Sequence, residues 1–211
     1  FYDPLIGLDV PASLRRKMDF VGFLQRSVSK GKSSINARKD NYLLVTTGGG
    51  GDGSDLVHDV MNAYEADPTL TQKALVVLGP YMPAAERAKL VQKGEAIPYI
   101  EVIEFDNHME ELIDGATGVV AMGGYNTYCE ILSFDKPALI VPRVKPREEQ
   151  LLRAQRASEL GLVDMLLPEQ SADPTIMSEA LKRLPSRLPP SKSGSNMHLE
   201  GLDHISQTVG R

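Results

Sequence analysis

Short apolar runs recur along this chain at residues 19–24, 42–46, 74–78, 99–105, 118–121, 138–141 and 163–167, and most are rich in Val, Ile and Leu without clean alternation. Strict alternation marks a strand with one wet face. Unbroken apolar runs mark strands covered on both faces, as in a parallel sheet. Between the runs lie segments with helical patterning. Residues 54–66 place Val57, Val60, Met61 and Tyr64 on one face. Residues 83–93 open on a proline suited to a first helical turn. Residues 148–160 end before Gly161, a favourable C-cap. Shorter helices are expected at 109–114, 126–133 and 174–184. The alternation predicts an α/β domain, a doubly wound, Rossmann-like parallel sheet with helices on both faces.

Two regions fall outside that pattern. Residues 1–24 combine an irregular start with the apolar run at 19–24, expected to be one strand, and residues 25–41 are polar and basic, as expected of a linker. Residues 185–195 are rich in Pro and Ser and also read as a linker, leading to a terminal helix at 197–209 with Leu199, Leu202, Ile205 and Val209 on one face. The expected division is therefore 1–24, linker 25–41, a binding domain at 42–184, and a second linker with helix at 185–211. The first residue is not Met and no signal-peptide pattern follows, so the chain is expected to continue upstream.

Composition serves mainly to exclude. A formal net charge of −5 argues against a general nucleic-acid surface. The single Cys129 rules out an internal disulfide, and His58, His108, His198 and His204 show no metal-ligand spacing, so no metal is expected. No apolar run reaches the length of a membrane span. A reducing, cytoplasmic setting fits the lone thiol, which is expected to be a buried small hydrophobe. His108 is expected in an exposed loop.

Chemistry concentrates in two glycine loops. The first contains Gly48, Gly49, Gly50, Gly51, Asp52 and Gly53 between a strand and a helix. It formally matches the dinucleotide fingerprint, but no acidic residue directly follows the next strand, as a nicotinamide site requires. Ser54 and Asp55 stand where an ATP-type loop needs Lys and Ser or Thr. Two readings stay open: a tight turn without a ligand, or a backbone loop beside a phosphate or sugar at a cleft.

The second loop is Gly123, Gly124, Tyr125, Asn126 and Thr127, followed by Glu130. A helix starting there leaves its first amides unpaired and directed outward, a ready diphosphate site. Glu130 follows Asn126 by four residues, roughly 6 Å along the axis at 1.5 Å per residue. A carboxylate so placed can accept from two vicinal hydroxyls of a ribose. The alternative for Glu130 is a solvated helix charge.

From residue 101 to residue 165 the chain resembles the C-terminal domain of GT-B glycosyltransferases, in the branch holding the bacterial lipid II-forming GlcNAc transferases and related predicted enzymes. The resemblance lies in the order of its pieces: Glu104-Phe105-Asp106-Asn107-His108-Met109, the Gly123-Gly124 helix start, Glu130, a Pro137-containing strand entry, and Arg147-Glu148-Glu149-Gln150. It implies that Phe105, Asp106 and Met109 hold a base, that Gly123 to Thr127 hold the diphosphate, that Glu130 holds the ribose, and that Glu149 and Gln150 hold the donor sugar. The family commonly has Gln-Gln or Asp-Gln at that pair, so Glu149 is a departure. Gly22-Phe23-Leu24-Gln25-Arg26 matches a family segment at the interdomain crossing. Arg26 would then reach the nucleotide, against the alternative of an ordinary linker charge. Arg143, Lys145 and Arg147 either offset phosphate charge or form a solvated loop.

The implied function is inverting transfer from a nucleotide-diphosphate sugar, UDP-GlcNAc-like, to an acceptor hydroxyl. No cofactor or essential metal is implied. The catalytic base and acceptor pocket would lie in an N-terminal domain, which residues 1–18 would end, or in a partner chain. Membrane contact would come only through that half, and this chain alone would be inactive. The rivals are a GT-B nucleotide-sugar 2-epimerase, the non-catalytic donor-binding subunit of a split transferase, and a NAD-dependent enzyme.

Overall fold

A computed structural model describes residue 5 and residues 8–27, 41–49 and 51–210. Most of the expected linker at 25–41, part of the expected tail at 1–24, and Gly50 lie outside the described residues.

Six parallel strands form one sheet: β1 (Tyr42–Thr46), β2 (Lys73–Val77), β3 (Ile100–Ile103), β4 (Gly118–Ala121), β5 (Ala138–Ile140) and β6 (Asp164–Met165). Their order across the sheet is β3-β2-β1-β4-β5-β6. Pairing is in register from Tyr42 opposite Lys73 to Thr46 opposite Val77, and from Leu43 opposite Gly118 to Thr46 opposite Ala121. The order turns back on itself between β1 and β4, which leaves a crevice at their carboxyl ends.

The unbroken apolar runs have the cause expected of them. Every residue of β1 is buried. Leu43 and Val45 join the core on one face, with α2 (Ser54–Ala66) and α8 (Pro174–Arg183). Leu44 joins the core on the other face, with α5 (Tyr125–Ser133) and α6 (Glu149–Glu159). Ala74 and Val76 of β2 likewise face the first core, and Leu75 and Val77 the second. Each fully buried Leu or Val contributes roughly 1.5–3 kcal/mol relative to exposure. The remaining helices are α1 (Ala12–Arg15), α3 (Ala84–Glu95), α4 (Met109–Gly115), α7 (Pro168–Ser171) and α9 (Gly201–Val209).

Three expectations change towards the chain's ends. Residues 19–24 form no strand; Leu24 makes a single antiparallel bridge to Glu200, and Phe23 exchanges backbone hydrogen bonds with His198 (2.6 Å) and Gly201 (3.0 Å). The partner of this apolar stretch is thus the C-terminal segment, not the sheet. The terminal helix starts at Gly201, because residues 197–200 are drawn into that contact, with His198 at a positive φ of 52°. Residues 185–195 are not a free spacer. The Arg187 guanidinium donates to Asp164 (2.8 Å) and to the carbonyl of Gly161 (2.7 Å), and Asp135 accepts from the Ser191 amide (2.7 Å).

Candidate functional site

The crevice between β1 and β4 is a cleft of about 450 Å³. Both glycine loops open onto it, one from the end of each strand, so the sheet order brings together segments some 75 residues apart in sequence (Gly48 to Gly123). A methyl group added at Gly48 would stand 3.9 Å from the Thr127 hydroxyl.

In the second loop, Gly123 has φ +73°, and a Cβ there would stand 2.8 Å from Cγ2 of Ile140. Only glycine makes this turn without strain. Gly124 is the N-cap of α5 and supplies no capping side chain. Tyr128 is the first residue to donate back, to the Gly124 carbonyl at 2.9 Å. The amides of Tyr125, Asn126 and Thr127 therefore have no intrahelical acceptor. All three residues line the cleft, as do Gly123, Gly124 and Glu130. Burial pushes the Glu130 carboxyl above the ordinary glutamate range; Glu110 adds to the rise and Arg26 opposes it.

In the first loop, Gly53 is a structural necessity: a Cβ there would stand 2.3 Å from Cβ of Thr47. Thr47 in turn donates to the Leu78 carbonyl. Gly48, Gly49, Gly51 and Asp52 line the cleft and Gly53 does not. Asp52 is held by Arg143, which also lies 3.7 Å from Glu149.

The other sequence-chosen residues are placed as follows. Met109 and Gln150 line the cleft. Gln150 is buried, and its Oε1 accepts from the Arg143 amide at 3.1 Å. Glu149 is half exposed and outside the lining, turned towards Arg143. Phe105 is exposed, and Asp106 accepts from the His108 amide at 2.6 Å, just before α4; neither lines the cleft. Arg26 packs on α5: its amide donates to the Ser133 hydroxyl and its Nη2 to Asn126 Oδ1, each at 2.8 Å. Arg143 is engaged by two carboxylates, whereas Lys145 and Arg147 are exposed. Cys129 is fully buried, which raises its thiol pKa. Among the described residues no group of three His, Cys, Asp or Glu side chains is arranged to hold a metal ion, and no helix is long and apolar enough to cross a membrane.

Sequence reading missed Thr46, Thr47, Tyr81 and Met122, which complete the lining. Tyr81 carried a faint signal, an aromatic after Gly79-Pro80 at the end of β2. Its amide donates to the Gly49 carbonyl at 2.9 Å, and its ring is 78% exposed. Arg153 was also missed. It is buried behind the Gly123 turn, and its Nη1 donates to the Gly123 carbonyl at 2.6 Å.

Comparison with known proteins agrees with this arrangement. Over 148 residues the chain is 23% identical to a UDP-N-acetylglucosamine--N-acetylmuramyl-(pentapeptide) pyrophosphoryl-undecaprenol N-acetylglucosamine transferase of Alkaliphilus metalliredigens (strain QYMF), covering 70% of this chain and 40% of that protein. The structure is similar to CalG4, the calicheamicin glycosyltransferase (TM-score 0.62, 19% identity, 93% of this chain and 49% of that one). It is also similar to Acinetobacter baumannii MurG (TM-score 0.59, 18% identity, 82% and 49%). At these identities the two structures speak for the fold, that of the GT-B C-terminal domain. The chain spans half or less of the length of each of these proteins. The family model for the glycosyltransferase family 28 C-terminal domain matches residues 43–208, and the chain belongs to that family.

Proposed function

We propose that this chain is the donor-binding domain of a glycosyltransferase and that its cleft holds a UDP-linked sugar, UDP-GlcNAc-like in kind. The observation that carries this proposal is the α5 entry at the topological switch point. Three unpaired amides and the helix dipole face the same cleft as Glu130, one turn further on. The diphosphate sits on the Gly123 to Thr127 amides, and the ribose hydroxyls donate to Glu130. The base lies towards Met109 and the loop before it, and the sugar towards Gln150 and the first glycine loop. The relative of known name is a UDP-N-acetylglucosamine-dependent transferase, which favours uracil and GlcNAc.

Transfer proceeds with inversion. An acceptor hydroxyl attacks the anomeric carbon, the bond to the diphosphate breaks, and the α5 amides stabilise the charge that develops on the leaving group. No essential metal takes part. The base that accepts the acceptor's proton, and the acceptor pocket itself, are contributed from outside this chain.

Calorimetry of the chain with UDP, dTDP, GDP and NADH tests the proposal. UDP is expected to bind tightest; preference for NADH would restore the dinucleotide reading of the first loop. Incubating the full protein with UDP-GlcNAc and no acceptor separates the 2-epimerase. Release of the C2 epimer would replace transfer with epimerisation.

A further inference from the structure

Arg153 has no counter-ion among the described residues. It lies on α6 with only 6% of its surface exposed. None of the ion pairs among the described residues involves it, and its Nε has no hydrogen-bond partner there. A buried guanidinium without a carboxylate is costly to keep, so its position calls for a reason. Its hydrogen bond from Nη1 to the Gly123 carbonyl, at 2.6 Å, is short and charge-assisted. The guanidinium carbon also lies 5.8 Å from the centre of the Tyr125 ring, at the first residue of α5.

A trans peptide is planar, with its C=O and N–H pointing in opposite directions. Holding the Gly123 carbonyl back towards α6 therefore turns the Gly124 amide away from α6. Gly124 lines the cleft. With φ of +73° and no side chain, Gly123 has no steric lock of its own to fix that plane. We infer that Arg153 is a positioning residue: its guanidinium clamps the Gly123–Gly124 peptide so that the Gly124 amide joins those of α5 in facing the donor's diphosphate, and its uncompensated charge is balanced by that anion. The inference rests on the donor-site proposal above and specifies which part of the ligand Arg153 serves. Arg153 serves the diphosphate and is indifferent to base and ribose.

The test compares wild type, Arg153→Met and Arg153→Lys in calorimetric titrations with UDP and with uridine, which keeps base and ribose but has no phosphate. Arg153→Met is expected to weaken UDP binding roughly 10- to 100-fold, the range for losing a hydrogen bond to a charged group. Uridine affinity should change less than about twofold, and Arg153→Lys should recover part of the loss, since charge is retained. Equal loss for UDP and uridine, or no loss for either, would overturn the clamp while leaving the donor site standing. Wild type that binds no UDP would overturn the donor site and the clamp together. A measurement on wild type alone guards against a variant that does not fold. Pyrophosphate and UDP should both move the Gly124 amide resonance downfield in proton–nitrogen spectra, and a Gly124 resonance unmoved by either refutes the clamp.

Discussion

Glu130 shows how one residue can be unfavourable for the fold and useful to the site. Burial holds its carboxyl above the usual range, with Glu110 adding to the effect and Arg26 only partly opposing it. The folded chain therefore binds this proton more readily than the unfolded chain. The ionised carboxylate subtracts stability at neutral pH, and the penalty is relieved as pH falls through the raised folded pKa. Glu130→Gln is accordingly expected to melt higher than wild type at pH 7.5, with the gain shrinking below the folded pKa. Thermal melts across that range check it, and a lower melting point for the variant at pH 7.5 would refute it. Gly123 makes a second case. Alanine there must adopt a φ of +73° and press a Cβ to 2.8 Å from Ile140. Gly123→Ala should cost about 1–3 kcal/mol of stability in denaturant unfolding and also lower affinity for UDP.

At the scale of elements, the strands and helices were largely legible and the cleft was legible only in part. The central strands β1, β4 and β5 were readable because both their faces are covered: Leu43 and Leu44, for example, enter different cores. Leu44→Ala should then lose about 2–5 kcal/mol, and a loss below about 1 kcal/mol would mean that the second core is looser than its burial indicates. The glycine loops were readable because a Gly-Gly turn before a helix has few uses. What stayed hidden depends on strand order. Thr46 and Met122 line the same cleft only because β1 pairs with β4, which brings together residues far apart in sequence with no local signature. Arg153 looks in sequence like any charge on an amphipathic helix, and only the position of the Gly123 carbonyl gives it a role. Residues 19–24 were misread for a related reason. Within them only Phe23 is buried, against the rings of Tyr125 (6.0 Å) and Tyr128 (5.1 Å) of α5, while Phe20 is exposed.

At the scale of the whole molecule, the two ends of the chain are tied together over the candidate donor helix. Phe23 is the hub of that tie: it is buried, it bonds the backbone of His198 and Gly201, and Arg26 follows it onto α5. Phe23→Ala is expected to cost roughly 3–5 kcal/mol and to weaken UDP binding as well, because the first turn of α5 would lose its support. Urea unfolding paired with calorimetry checks both, and a destabilised variant with unchanged affinity would separate the tie from the site. The face of α9 bearing Leu202 and Val209 is exposed, at 61% and 80%. If the proposed acceptor pocket lies outside this chain, the chain should bind donor without transferring sugar, which a transfer assay on it checks.

If the α5 entry and Glu130 together hold a nucleoside diphosphate, UDP titrated into wild type and into Glu130→Ala should bind the two differently. Saturable binding is expected for wild type, with a loss of about 1.5–3 kcal/mol in the variant, the range for a hydrogen bond to a charged group. Equal affinity in the two proteins would remove Glu130 from the site.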